Sequence, residues 1–365
     1  MDVDALVFGV VVLARLLLPL LIFRFPLVGI LICLILDGID QTVFQLFTDL
    51  ELDNYQSYDK ALDVYYLALA YIATMRNWVS RDAFAVSRAL FYYRLVGVAA
   101  FELTGAEHRA LLLLFPNTFE YFFIFYELVR TRWNPRRGSM SFWVYAAAAI
   151  WIFIKLPQEY WIHVAQLDVT DTIREYPVGA LAVGLLAVVL ALIAYRIVRP
   201  RVPEPDYALQ LAAGPLPFGM DGLADRMRAR AAGGVFSLAL LEVIVLVGLV
   251  LTIFIQMMPG VEATLTQVMV SSAIIVLANT AVYVYTARRG WGIASAFWSF
   301  VVLLVFNVAF VTVVQWLQAA SRDYALGVGL FFIALLTLIE STYSRYRPVI
   351  VVRLGEQPTR AKKSA

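Results

Sequence analysis

The run Leu34-Ile35-Leu36-Asp37-Gly38-Ile39-Asp40-Gln41 lies inside an apolar stretch, Pro26 to Phe47, that is long enough to cross a bilayer. Each acid in the middle of such a stretch costs roughly 3 kcal/mol on insertion scales. On a helix Asp37, Asp40 and Gln41 fall at i, i+3 and i+4 and share one face. That face must meet protein or water, so the helix belongs to a bundle that houses it.

The rest of the chain supports a membrane setting. Of its 365 residues 62% are hydrophobic and only 15% charged, and mean hydropathy is +0.77. A soluble domain carries far more charge. About eleven runs meet the ~20-residue criterion for a span, approximately 5–23, 26–47, 59–76, 82–104, 107–130, 140–166, 178–198, 235–258, 265–287, 292–318 and 325–345. The fold class expected is therefore all-α, a polytopic integral membrane helical bundle. Met-Asp-Val-Asp at the start has neither the basic region nor the small-residue cleavage site of a secretory signal, so the first run is expected to stay as a helix.

Arginines collect in alternate connections: Arg76 and Arg81; Arg130 to Arg137; Arg196 to Arg230; Arg288 and Arg289; and Arg345 onward. The remaining connections are acidic or short. The positive-inside rule then places the N-terminus outside and the C-terminus in the cytoplasm, which requires an odd number of spans. An excess of arginine over lysine, with much alanine, valine and leucine, points to a GC-rich bacterium and hence to its inner (plasma) membrane.

Four segments are expected: a seven-helix bundle over 1–199, a linker over 200–234, a four-helix bundle over 235–347 and a basic cytoplasmic tail over 348–365. Five prolines between Pro200 and Pro217 forbid a long helix there. Gly222 to Ala232 suits a short amphipathic helix. No internal repeat is evident.

Counted by depth at ~1.5 Å per residue, polar side chains from five spans fall in one slab, roughly 5–20 Å below the outer surface. The candidate binding residues are Asp37, Asp40, Gln41, Asp63, Arg94, Asn117, Glu120, Lys155, Glu159 and His163. Asn117, Glu120 and Glu127 share one helical face, as do Lys155, Glu159 and His163, and Asp59 and Asp63. Pro116 and Pro157 break their helices at the same depth and should free the carbonyls of Leu112 and Phe153. Such breaks are tolerated where they line a cavity or meet neighbouring helices.

Five acids face two bases in this slab, Arg94 and Lys155. The shortfall of three positive charges is filled by protonation of some acids or by a bound cation. With two histidines and one cysteine, Cys33, the chain has no multi-histidine metal site, no internal disulfide and no CxxC motif. Nothing assigns a cofactor, and no basic block suggests nucleic acid. Aromatics around the slab, among them Tyr65, Tyr66, Tyr92, Tyr93, Tyr121, Phe122, Phe123, Tyr126, Tyr160 and Trp161, could wall a site for an organic cation.

The bland alternative makes Asp37 and Asp40 helix glue paired with Arg94 or Lys155, and the aromatics ordinary core and interfacial belt. The functional expectation is a proton- or cation-coupled transporter or permease. Alternatives are a membrane-embedded enzyme acting on a lipid or isoprenoid, and a non-catalytic subunit of a membrane assembly. The partners expected are the bilayer and a small solute, cation or lipid.

Overall fold

The computed structural model describes residues 3–47, 53–105, 108, 110–161, 175–232, 237–257, 264–288, 296–317 and 326–355. Among these the chain is mostly helical, with no strand. Among the described residues six helices are long and apolar enough to cross a membrane: Leu6–Phe23, Arg81–Leu103, Ala110–Arg132, Met140–Glu159, Leu238–Met257 and Leu265–Tyr285.

The first hairpin is α1 (Val3–Leu17), a 3-10 extension (Leu18–Phe23) and α2 (Pro26–Phe47). Pro19 and Pro26 both sit where a missing N–H costs nothing, at the start of a helical segment. Gly29 lets α2 lie against the backbone of Ile22, where a Cβ would come within 2.6 Å of the Ile22 nitrogen.

The central helix is α3 (Asp53–Asn77). Its second half is apolar on every face, and Ala68 to Ala73 are fully buried. A helix of that kind belongs in the middle of a bundle. Its alanines admit close neighbours. Beside it runs α4 (Arg81–Leu103), capped by Ser80, whose hydroxyl accepts from the Ala83 N–H at 3.3 Å. Tyr71 stacks on Phe91 at 4.4 Å, and Trp78 on Tyr126 at 3.7 Å with Trp143 beyond.

One span is broken into α5 (Ala110–Leu114) and α6 (Thr118–Arg132), parted at Pro116. The next runs as α7 (Met140–Ile150), a π-helical turn (Trp151–Lys155) and α8 (Leu156–Glu159). Then α9 (Pro177–Val198) has exposed apolar side chains around it, including Val178, Leu181, Leu185 and Leu192. Apolar surface on this scale suits lipid rather than water.

The 200–222 linker is irregular, as its prolines require, and ends in α10 (Leu223–Ala232), the short helix expected there. The remaining helices are α11 (Leu238–Met257), α12 (Leu265–Arg288), α13 (Ala296–Leu317) and α14 (Leu326–Gly355). α14 packs along α3 and α11 along α4, so one apolar core runs through the segments on both sides of the linker. Glu242 of α11 meets Tyr71 and Arg347, Asn279 donates to Glu340 at 2.6 Å, and Asn307 donates to Thr337 at 2.9 Å. These are the interhelical polar contacts that single polar residues in apolar helices imply.

The chain past Pro348 differs from the tail expected. α14 continues through Pro348 to Gly355, because Val349 and Ile350 are fully buried and hold it against the core. Arg353 is buried there, donating to the carbonyls of Asn77 and Pro215.

Candidate functional site

A chamber of about 360 Å³ opens among α2, α3, α4, the α5–α6 break and the α7–α8 span. Seven of the ten candidate residues line it: Asp37, Asp63, Arg94, Asn117, Glu120, Lys155 and Glu159. Asp40 lies behind the wall. The side chain of Gln41 and the whole of His163 fall outside the described residues.

The pairing of the aspartates corrects the expectation. Asp37 and Asp40 meet neither Arg94 nor Lys155. Both pair with Arg15, which is not among the candidates read from the sequence. Its guanidinium donates to Asp40 and Asp59 through Nη1 and to Asp63 and Asp37 through Nη2, the last at 2.7 Å. One five-donor group thus ties α1 to α2 and α3. Arg15 and Asp40 are buried, whereas Asp37, Asp59 and Asp63 are each about one-third exposed. Oxygens of Asp37, Asp59 and Asp63 come close enough to share a metal ion, but Arg15 already sits among them.

The sequence carried a signal for this. Arg15 is a lone charge in the first apolar run, as costly there as Asp37 is in the second. It stands ten residues before Phe25 at the hairpin turn and Asp37 stands twelve after it, so an antiparallel pair brings them level.

The second group surrounds the helix break. Asn117 precedes α6 without capping it through its side chain. Instead Asn117 Nδ2 donates to Glu120 Oε2 at 2.9 Å, and the Tyr66 hydroxyl donates to Glu120 Oε1 at 2.7 Å. The Asn117 N–H donates to Glu159 Oε1 at 3.3 Å. Lys155 Nζ contacts Glu159 Oε1 at 2.9 Å and Gln158 Oε1 at 2.9 Å, and stands 5.0 Å from the centre of the Tyr121 ring. The π turn ending at Lys155 carries one extra residue per turn; together with Pro157 it sets the register in which Lys155 and Glu159 are both buried.

The break also exposes carbonyls beyond the two expected from the prolines. Pro116 interrupts the helix rather than kinking it. The exposed acceptors are Leu114, which takes the Tyr93 hydroxyl at 2.7 Å, and Phe115, which takes Arg94 Nη1 at 2.9 Å. Two polar atoms at the break, Asn117 Oδ1 and Arg94 Nε, are buried with no protein partner. Gly97 faces Phe115 so closely that any Cβ would overlap the ring.

Lys60 and Glu102 complete the wall, paired at 3.3 Å. They lie near span ends, where charge reads as loop. With them and the Arg15 cluster, the described residues bring together seven acids (Asp37, Asp40, Asp59, Asp63, Glu102, Glu120, Glu159) and four bases (Arg15, Lys60, Arg94, Lys155). The shortfall of three positive charges persists, though its membership has changed.

Most of the aromatics follow the bland alternative of core packing and exposed belt rather than walling the chamber. Of the residues named, Tyr66 and Tyr121 reach the chamber. Phe122, Phe123 and Tyr126 join the Trp78–Trp143 stack, Tyr92 leans on Tyr71 and Phe91, and Tyr160 and Trp161 are exposed. Glu127, on the Glu120 face, leaves it by pairing with Trp78 and Arg130.

Chemically, the chamber offers a helix N-terminus with its partial positive charge, two cationic side chains beside it, and carboxyl groups able to carry protons. No family model matches this chain, nor does any curated protein or solved structure. The site is therefore read from its own geometry.

Proposed function

We propose that the protein is a multi-pass transporter or permease of the bacterial plasma membrane, with about eleven spans, an outside N-terminus and a cytoplasmic C-terminus. In this reading the chamber binds a small polar solute. The observation that carries it is the coincidence of a charged cavity with a broken helix. The break at Pro116 aims the α6 N-terminus into the chamber beside Arg94 and Lys155. Discontinuous membrane helices of this kind hold an anionic group at a half-helix N-terminus. Glu120, clamped by Tyr66 and Asn117 three residues into α6, is the proton carrier, and Glu159 exchanges partners between Lys155 and the solute. Asp37 and Asp63 belong to the Arg15 cluster and shape the wall.

The test uses sealed membrane vesicles exposed to an isotope-labelled small-molecule extract, with an internal pH dye. Vesicles carrying the protein should accumulate one or a few solutes with proton movement, and Glu120→Gln should abolish both. A second reading, an enzyme acting on a lipid or isoprenoid, draws on the apolar part of the wall: Leu34, Val64, Leu67, Val98, Leu112 and Met257. Unchanged solute content together with an altered lipid profile in cells carrying Glu120→Gln would select it over transport.

A further inference from the structure

At the opposite end of α3 from the chamber lies a second cavity, of about 300 Å³. It opens between the helix ends at Asn77 and Arg130 and the strap formed by residues 203–217. Asn77 is eleven residues from Tyr66, which puts the two cavities ~16 Å apart along the helix. By the positive-inside assignment this end is cytoplasmic.

The strap is firmly attached. Its N–H groups at Asp206, Gln210 and Ala213 donate to the carbonyls of Arg132, Thr131 and Arg24 at 2.9, 3.0 and 2.7 Å. Its carbonyls at Ala212 and Pro215 accept from Arg130 Nη1 and Arg353 Nη2, each at 3.0 Å. The cavity beneath it is therefore a built feature. Three arginines line it, Arg130, Arg136 and Arg353, together with Asn77, Asn134 and Gln210, and among the described residues no carboxylate does. The nearby acids are spoken for: Glu127 by Trp78 and Arg130, Asp206 by Arg137 and the Asn134 N–H. Arg130 is more than nine-tenths buried, yet its Nη2 has no protein partner. A buried guanidinium nitrogen left unpaired is costly.

From these observations we infer that this cavity is an anion site for a phosphate-bearing group, a phosphomonoester or diphosphate, held by Arg130 and Arg136 with Arg353 at its floor. Planar guanidinium groups match phosphate oxygens in pairs, and basic pockets at the cytoplasmic ends of membrane helices receive phosphorylated headgroups. The same chemistry serves a soluble phosphate compound and an anionic lipid. The inference does not rest on the function proposed for the chamber.

The test measures thermal stability of the purified full chain in neutral detergent, at constant ionic strength set with chloride. One arm titrates inorganic pyrophosphate. The other adds phosphatidylglycerol or phosphatidylcholine in mixed micelles. The site predicts a saturable rise in Tm with pyrophosphate, with phosphatidylglycerol, or with both, and none with phosphatidylcholine. Pyrophosphate alone identifies a soluble ligand; phosphatidylglycerol alone identifies a lipid. Arg136 is exposed, so Arg136→Gln should fold normally and weaken the response about tenfold. Arg228→Gln, an exposed arginine on α10, should leave it unchanged. No response in either arm, or equal weakening by both substitutions, overturns the inference.

Discussion

Replacing Arg15 with Met removes the cation that, among the described residues, four aspartates share. Deleting one partner of a buried ion pair costs ~3–5 kcal/mol, since the other charge stays buried and unpaired. Here the low end applies, about 3 kcal/mol. Only Asp40 is buried as deeply as Arg15, and the other three carboxylates are exposed enough for solvent to screen them. At roughly 2 °C per kcal/mol for a long chain, Arg15→Met should lower Tm by about 6 °C. Adding Asp40→Asn should return half of that or more, because the stranded charge is gone. The assay is thermal unfolding of the detergent-purified protein followed by tryptophan fluorescence. An Arg15→Met protein within 1 °C of the parent, or a double variant worse than the single by as much again, would refute the assignment of Arg15 as the hub.

Other perturbations probe separate parts of the structure. Gly97→Ala forces Phe115 away from α4 and should cost about 1–3 kcal/mol, read as a lower Tm. Trp143→Ala leaves a cavity beside Trp78 and Tyr126 and should cost about 3–5 kcal/mol by the same measurement. Glu340→Gln keeps a partner for Asn279 and should leave Tm within about 1 kcal/mol of the parent, whereas Glu340→Leu strands the amide and should cost about 1–3 kcal/mol.

The readable parts of this fold were those set by a single local rule. Proline placed the α5–α6 break and forbade a helix across the linker; helical period put Lys155 with Glu159 and Asn117 with Glu120. What was missed depended on three-dimensional neighbours. Arg15 is a single charge in the first apolar run, and only the turn of the hairpin brings it to Asp37. Lys60 and Glu102 sit near span ends, where charge is cheap, and only the packing of α3 on α4 pairs them across the chamber mouth. The aromatics of α6 stand near Glu120 in sequence, where either a wall or a packed core suits them, and only the placement of Trp78 shows that Phe122, Phe123 and Tyr126 pack as core. Pro348 marked an expected stop that buried Val349 and Ile350 override.

The account stands most directly on the chamber being open to water within the membrane. Cys33 is buried and is the chain's one thiol, so Cys33→Ala provides a clean background for a new cysteine at Val98, on the chamber wall. The account predicts that Val98→Cys in intact vesicles reacts with a charged, membrane-impermeant thiol reagent, and that a cysteine at the lipid-facing Leu185 does not. A Val98→Cys thiol as inert to that reagent as one at Leu185 would mean that no aqueous compartment exists among these charges, and the transport reading would fail.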